Sequence, residues 1–395
     1  MPRKFAATWK PLVTGVVAVA CAFAGVAAAT ALSPGAGPTA VEHAAIEHAA
    51  TVKTGATPQA GPQAPFTADF FGMSAGAEIT SLPDAAFDRE MNLMNHIGVH
   101  WIRAVFPWAQ VQSQDPSQAD EEWTYIDRLV NYAEALGMQI DAIVDNSPVW
   151  AESSIPTIPC TKQPSFNLTA YANFAAEVAA RYPASVVSAI ELENAPNLPG
   201  NWVTPDACGY TQLMKQAYPA IKAANPAVTV LTGGLGAQNA IRKGQQGIAG
   251  DIFFGQMYSF GAHGYFDVLS WHPYSYPCTP SQTCSKPRPW YKTPAVRQMM
   301  VDNGDGAKQI WATEFGSPTR GAVGDGHVDE ATQASIMVDG MQQWVALPYT
   351  GPFFVFTFRD HGDRNVKSDS FGLVSRDFTH QKIAYGTYKS LALGG

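Results

Sequence analysis

An eightfold alternation of short apolar runs and amphipathic stretches is what most limits the folds open to this chain. The runs lie at 70–74 (FFGMS), 101–106 (WIRAVF), 139–145 (QIDAIVD), 188–193 (SAIELE), 228–232 (VTVLT), 266–271 (FDVLSW), 310–314 (IWATE) and 353–358 (FFVFTF). Each has strand length and is rich in β-branched or aromatic residues, which suit a pleated, buried surface. Between them, apolar residues recur at helical spacing. Phe87, Met91, Met94 and Ile97 open the series, after Ser81-Leu-Pro-Asp and before Gly98, as helix-capping chemistry predicts. Ile126, Leu129, Val130, Ala133 and Leu136 repeat the pattern up to Gly137, and Tyr171, Phe174, Ala175 and Val178 make a third helix. A fourth, around Leu213 to Ile221, carries Pro219, where a kink is expected. Stretches at 251–260, 294–303, 329–345 and 382–392 complete the eight. Strict alternation implies a parallel sheet. Eight units within residues 66–395 fit a closed α/β barrel of the (β/α)8 (TIM) type better than an open sheet. No glycine-rich phosphate loop follows the first run, which argues against a dinucleotide fold.

In such a barrel, chemistry belongs at the C-terminal ends of the strands. Those ends are populated here. Arg103 and Phe106-Pro107-Trp108 follow the second run, and Asp145-Asn146-Ser147-Pro148-Val149-Trp150 the third. The fourth ends in Glu191-Leu192-Glu193-Asn194-Ala195-Pro196-Asn197 and the sixth in Trp271-His272-Pro273-Tyr274. The seventh ends in Trp311-Ala312-Thr313-Glu314-Phe315-Gly316, and the eighth in Arg359-Asp360-His361. Each residue alone has an ordinary reading: a surface ion pair, a satisfied core histidine, a space-filling tryptophan. Six strand ends carrying such groups together point to a site.

The N-terminus reads differently. Arg3, Lys4 and Lys10 precede an almost unbroken apolar stretch of small residues from Leu12 to Leu32, the pattern of a secretory signal. The same stretch is just long enough to serve as an uncleaved anchor, the one route to a membrane. Residues 33–65 are Ala, Pro, Gly, Thr and Gln with hardly a large apolar side chain, so they read as a flexible linker. The chain carries a net charge of −8 without a basic cluster, which speaks against nucleic acid as a partner. Four cysteines remain after the signal: Cys160, Cys208, Cys278 and Cys284. An even count in an exported protein favours disulfides, and the simplest of three pairings is Cys278–Cys284 with Cys160–Cys208. Neither pair has the short gap of a zinc site. No cofactor or metal motif is present, and the chain is expected to act as a monomer.

The strand-end motifs resemble those of the clan A retaining glycoside hydrolases, especially family 39 and the family 5-like bacterial exopolysaccharide hydrolases. In that clan, strand four ends in Asn-Glu-Pro, whose Glu is the acid/base, and strand seven ends in the nucleophilic Glu. Trp-Ala-Thr-Glu-Phe-Gly at 311–316 is similar to the nucleophile motif, and Glu-Leu-Glu-Asn-x-Pro-Asn at 191–197 to the acid/base motif on both sides. Phe-Gly-Leu-Val at 371–374 and Gln-Lys-Ile-Ala-Tyr at 381–385 resemble the clan's closing segment into the last helix. The likeness implies Glu314 as nucleophile, with Asn194 beside it in the catalytic set; Glu193 joins that set only as a candidate for the proton donor. It implies Arg103, His272 and Tyr274 as residues that orient the nucleophile and hold sugar. Trp108, Asn146, Trp150 and Asp360 are further expected to touch substrate.

The likeness breaks at position 195, where the acid/base Glu should stand and Ala is found. Retaining hydrolysis uses two carboxyl groups about 5–5.5 Å apart, one attacking the sugar and one protonating the leaving oxygen. Alanine transfers no proton, and losing positioned acid/base catalysis typically costs on the order of a hundred- to ten-thousand-fold. Three readings follow. Glu193 supplies the proton, although on a regular strand it would sit about 6.5–7 Å deeper than position 195. Another rim acid, Asp145 or Asp360, takes the role. Or the cleft binds sugar without turning it over, by natural loss or deliberate replacement. Trp108, Trp150, Trp202, Trp271 and Trp290 near the rim suit a poly- or oligosaccharide, since flat rings stack on sugar faces. Two or three of them are expected to pack the barrel–loop junction instead.

Overall fold

The computed structural model describes residues 66–394 apart from 77, 120, 153–154, 161–163, 200, 203, 237–246 and 285–287. The signal and linker readings for 1–65 lie outside the described residues. Eight parallel strands close in sequence order into a barrel. They are β1 (Phe71–Gly76), β2 (Trp101–Pro107), β3 (Gln139–Asp145), β4 (Val187–Asn194), β5 (Thr229–Gly236), β6 (Leu269–His272), β7 (Ile310–Phe315) and β8 (Thr350–Phe356). Eight long helices lie between and after them among the described residues. These are α1 (Asp84–His96), α2 (Thr124–Ala135), α3 (Leu168–Arg181), α4 (Ala207–Ala224), α5 (Gly250–Ser259), α6 (Thr293–Asp302), α7 (Glu330–Val345) and α8 (Ile383–Leu393). The strand–helix alternation was therefore legible from the sequence, with two adjustments. β6 begins only at Leu269, and α4 runs as one helix through Pro219.

Local chemistry sets the helix ends. Asn167 accepts from the backbone of Thr169 and Ala170, Asp206 from Gly209 and Asp329 from Thr332. Each such cap contributes about 1 kcal/mol by satisfying donors the helix leaves open. The helix α1 departs from the expected capping: Pro83 stands at its N-cap, and Ser81 bonds the Glu78 carbonyl instead. Gly98 and Gly137, both with left-handed φ, follow α1 and α2 and turn the chain back to the next strand.

Two apolar layers hold the barrel. A large cluster, including Phe87, Met91, Leu129, Phe174, Leu213 and Trp344, fills the space between helices and sheet. A smaller one of Trp101, Ala189, Leu231, Val268, Trp311 and Phe354 fills the barrel. Trp101 of β2 meets Trp311 of β7 at 5.1 Å between ring centroids, although these strands are not neighbours, so the contact crosses the interior. That plug is the floor beneath the strand-end residues. Disulfides join Cys160 to Cys208 and Cys278 to Cys284, the simplest of the pairings open to the sequence. No described helix is long and apolar enough to cross a membrane.

Candidate active site

Arg103 is the centre of the site. Its side chain is 1% exposed, and its five N–H groups all have acceptors. Nε and Nη2 grip the Glu191 carboxylate at 2.9 and 2.7 Å. Nη2 also reaches Asn194 Oδ1 at 2.9 Å, and Nη1 is shared between Ser74 Oγ (3.2 Å) and Glu314 Oε1 (2.8 Å). One guanidinium thus ties β1, β2, β4 and β7 together, because its planar fork matches several acceptors at fixed angles. The Gly234 amide adds a further bond to Glu191 Oε1 at 2.8 Å. A side chain at 234 would overlap the His272 ring, so glycine here gives the imidazole its place.

Glu314, at the end of β7, has a side chain 12% exposed. Its Oε2 accepts the Tyr274 hydroxyl at 2.9 Å and lies 3.4 Å from His272 Nδ1. Burial pushes its carboxyl up, but His272, the Arg103 charge and the bonds from Tyr274 and Arg103 outweigh it, and the group is held below the usual glutamate range. Burial takes His272 below the usual histidine range, opposed by the charge of Glu314. Burial and the Glu314 charge both push the Tyr274 phenol up, so it remains a donor. At neutral pH, Glu314 is an ionised carboxylate with fixed donors on both oxygens and a partly open face. That is the state a nucleophile needs.

The β4 side is built differently. The backbone leaves strand geometry at Glu193 (φ 66°) and Ala195 (φ 46°). Tyrosines from α3 and α4 stitch the break: Tyr171 accepts from the Glu193 amide and donates to the Val144 carbonyl, and Tyr210 donates to the Leu192 carbonyl. The expectation that Glu193 sits on a regular strand two positions below 195 is therefore corrected. Its carboxyl, 2% exposed, is hydrogen-bonded to the Asp145 carboxyl at the end of β3. Burial, with the Asp145 charge and this bond, takes Glu193 well above the usual range, and burial also raises Asp145. Among the described residues no cation is bonded to either carboxyl, so their burial favours the form that keeps a proton on the pair. Ala195 itself is 4% exposed.

Of the residues picked out from the sequence, Arg103, Asn194, His272, Tyr274 and Glu314 converge in one bonded cluster. Trp108 does not join them. It is fully buried, stacks on Phe174 and donates Nε1 to Gln112, so neither ring face is open to a sugar. Trp202 and Trp271 are buried as well. Trp150 packs edge-on to Trp108 and donates to the Gln112 carbonyl, lining a side groove with Glu121 and Glu177. Asn146 is exposed beyond Asp145, with left-handed φ. Asp360 is 3% exposed and spent on Lys382, Arg320 and the Gly372 amide, which fasten the segment after β8. Glu191 and Ser74 were missed as members of the set. A charged residue amid the apolar run SAIELE was the available signal, since a buried charge requires a partner.

The comparisons bear on the family and the fold. The model of the family "Cellulase (glycosyl hydrolase family 5)" matches residues 63–347. A family 39 glycoside hydrolase from the gut symbiont Bacteroides cellulosilyticus WH2 superposes with a TM-score of 0.61 at 22% identity. That match covers 82% of this chain but 64% of the other, so the chain spans less than two thirds of that enzyme. A monomeric β-xylosidase from Caulobacter crescentus CB15 gives 0.60 at 20% identity, covering 83% and 69%. The family 39 enzyme of Xanthomonas axonopodis pv. citri gives 0.61 at 18%, covering 84% and 68%. At these identities the likeness is one of fold. No curated protein matches. With a closed eight-stranded barrel, a strand-seven glutamate held at its mouth and a family model covering most of its length, this chain belongs to the cellulase family of glycoside hydrolases, family 5.

Proposed function

We propose that the chain is an exported glycoside hydrolase that cuts O-glycosidic bonds of a cell-envelope or extracellular polysaccharide by a retaining mechanism, with Glu314 as nucleophile. The observation that carries this reading is the state of Glu314: ionised, with Arg103 and Tyr274 bonded to its two oxygens and His272 beside it. In the first step a Glu314 oxygen bonds to the anomeric carbon as the glycosidic oxygen leaves. In the second, water displaces the carboxylate and configuration is retained. Asn194, His272 and Tyr274 hold the sugar, with Asn146 at the outer edge. The export reading rests on the N-terminal signal pattern, the 33–65 linker and two disulfides, which suit an oxidising compartment. The protein acts as a monomer on this reading.

The leaving oxygen needs a proton that Ala195 does not supply. Glu193 is the nearest protonated acid in sequence, and its carboxyl is shared with Asp145. A second reading, in which the cleft binds carbohydrate without turnover, is favoured by the alanine itself. One pair of substitutions separates them. If only the donor is missing, Ala195→Glu raises turnover of unactivated glycan by about a hundredfold or more. The native chain then acts on activated aryl glycosides, and azide enters the alanine space to give a glycosyl azide of retained configuration. If Ala195→Glu changes nothing while Glu193→Gln abolishes turnover, Glu193 is the working acid. If neither the native chain nor Ala195→Glu cleaves any glycan or aryl glycoside while binding persists, the binding reading replaces the hydrolytic one.

A further inference from the structure

Asp141 sits midway along β3, fully buried and in register between Arg103 of β2 and Ala189 of β4. Neither carboxyl oxygen accepts a hydrogen bond from any described N–H or O–H donor. Arg103, the neighbouring cation, has nothing left for it, since its five N–H groups go to Glu191 twice and to Ser74, Asn194 and Glu314. The polar partner within reach is the Glu191 carboxylate, itself an acceptor. Two buried acceptors facing each other are satisfied only if a proton lies between them. The charge balance agrees. Arg103 already faces two carboxylates, Glu191 and Glu314, so a third ionised group in the closed interior would be uncompensated.

We propose that Asp141 is a positioning residue of this site, a neutral carboxylic acid that donates its proton to Glu191 and so leaves Arg103 free to hold Glu314. Glu191 then receives four donors: two from Arg103, the Gly234 amide and the Asp141 hydroxyl. It is fully satisfied as an anion without drawing further on Arg103. The remaining guanidinium field falls on Glu314. The charged and titratable groups around Asp141 are Arg103 and Glu191, with Glu314 and His272 above them and Asp145 four residues on along β3. Burial and the Glu191 charge both raise Asp141 well above the usual carboxylate range, and Arg103 only partly offsets them.

The role in catalysis rests on Glu314 as nucleophile, but the protonation does not, and two variants keep them apart. Asp141→Asn is isosteric, neutral and retains an N–H donor toward Glu191, whereas Asp141→Ala removes the donor. The infrared difference spectrum between the native chain and Asp141→Asn at neutral pH should show the carbonyl band of a protonated carboxylic acid in the native chain alone. A carboxylate signature in its place overturns the proposal, whether or not any glycan is cleaved. Stability gives a second reading. Native Asp141 is protonated when folded and ionised when unfolded, so its contribution is full below the unfolded pKa and is lost as pH rises toward the folded one. Asp141→Asn should therefore gain in unfolding midpoint over the native chain as pH rises from acid to neutral. A gap that does not widen also counts against it. In turnover, Asp141→Asn should stay within about twofold with an unmoved acid limb. Asp141→Ala should lose about tenfold in kcat, the scale of one hydrogen bond to a charged group, with little change in KM and a limb moved to higher pH. Equal losses in both variants would show that the charge of Asp141 is used, and equal retention that Asp141 is a bystander. Either overturns the assignment. Should Asp141→Ala fail to fold, the spectrum and the Asp141→Asn pH series decide.

Discussion

The two rims of this barrel mouth solve the same electrostatic problem in opposite ways. At the β7 end, one buried carboxylate meets a guanidinium, a phenol and an imidazole, and it stays ionised. At the β3–β4 end, Asp145 and Glu193 meet each other with no cation bonded to either among the described residues, and both are pushed up. The sequence gives both rims glutamates in apolar runs. What separates an anion from an acid is the company each keeps, because desolvation penalises the charged form equally until a partner offsets it. A retaining glycosidase needs one carboxyl of each kind. On the mechanism proposed above, the cation-rich rim supplies the ionised one, and the acid-rich rim carries Glu193, two residues before Ala195, as a protonated carboxyl.

Removing the cation should break the contrast most severely. Arg103→Met strands Glu191 and Glu314 as buried carboxylates, and breaking a buried pair in this way typically costs about 3–5 kcal/mol. Chemical denaturation should show a loss of that order, together with loss of turnover on any substrate the native chain cleaves. A variant as stable as the native chain would mean that the guanidinium does not hold the β7 rim together.

Tyr274→Phe tests the contrast more gently. It deletes one hydrogen bond to an ionised group, worth about 1.5–3 kcal/mol. Because that bond helps hold Glu314 below the usual range, its loss raises the carboxyl. The acid limb of kcat/KM, which falls as Glu314 takes up a proton, should move to higher pH, and the plateau should drop about ten- to a hundredfold. A limb that stays put would remove Tyr274 from the circuit.

The smallest effect concerns a second acid pair, outside the cleft. Glu121 and Glu177 are bonded to each other and to Gln112, and burial with the bond to Glu121 pushes Glu177 up to about 7. A raised carboxyl contributes stability in acid that is lost as pH rises from the usual glutamate range through about 7. Glu177→Gln should therefore gain a degree or two in unfolding midpoint at mildly alkaline pH and little at pH 5. An equal gain at both would show that the pair carries no shared proton.

Much of this was legible beforehand, for physical reasons. Strand and helix periods are local, so IWATEF and WIRAVF announced β7 and β2, and the even cysteine count left few pairings. Glu314, Arg103, His272 and Tyr274 follow from being at strand ends, where the barrel gathers side chains. What was not legible depends on local backbone and on contacts that no period encodes. Asp141 looks like any polar residue in QIDAIVD until Arg103 is seen to have no donor left for it. Glu193 leaves the strand alternation because its φ is left-handed. Trp108 turns inward to Phe174 and Gln112, and Asp360 is taken by Lys382 and Arg320 from segments 22 and 40 residues away.

The central claim is that Glu314 is the ionised group that attacks the sugar, and covalent trapping tests it most directly. A panel of 2-fluoro glycosides with activated leaving groups needs no proton donor for its first step, so Ala195 does not prevent the reaction. Intact-protein mass spectrometry should show one added fluoroglycosyl group, and peptide mapping should place it on Glu314. A label on Glu193, Asp145 or any other carboxylate, under conditions that inactivate the chain, would contradict the account.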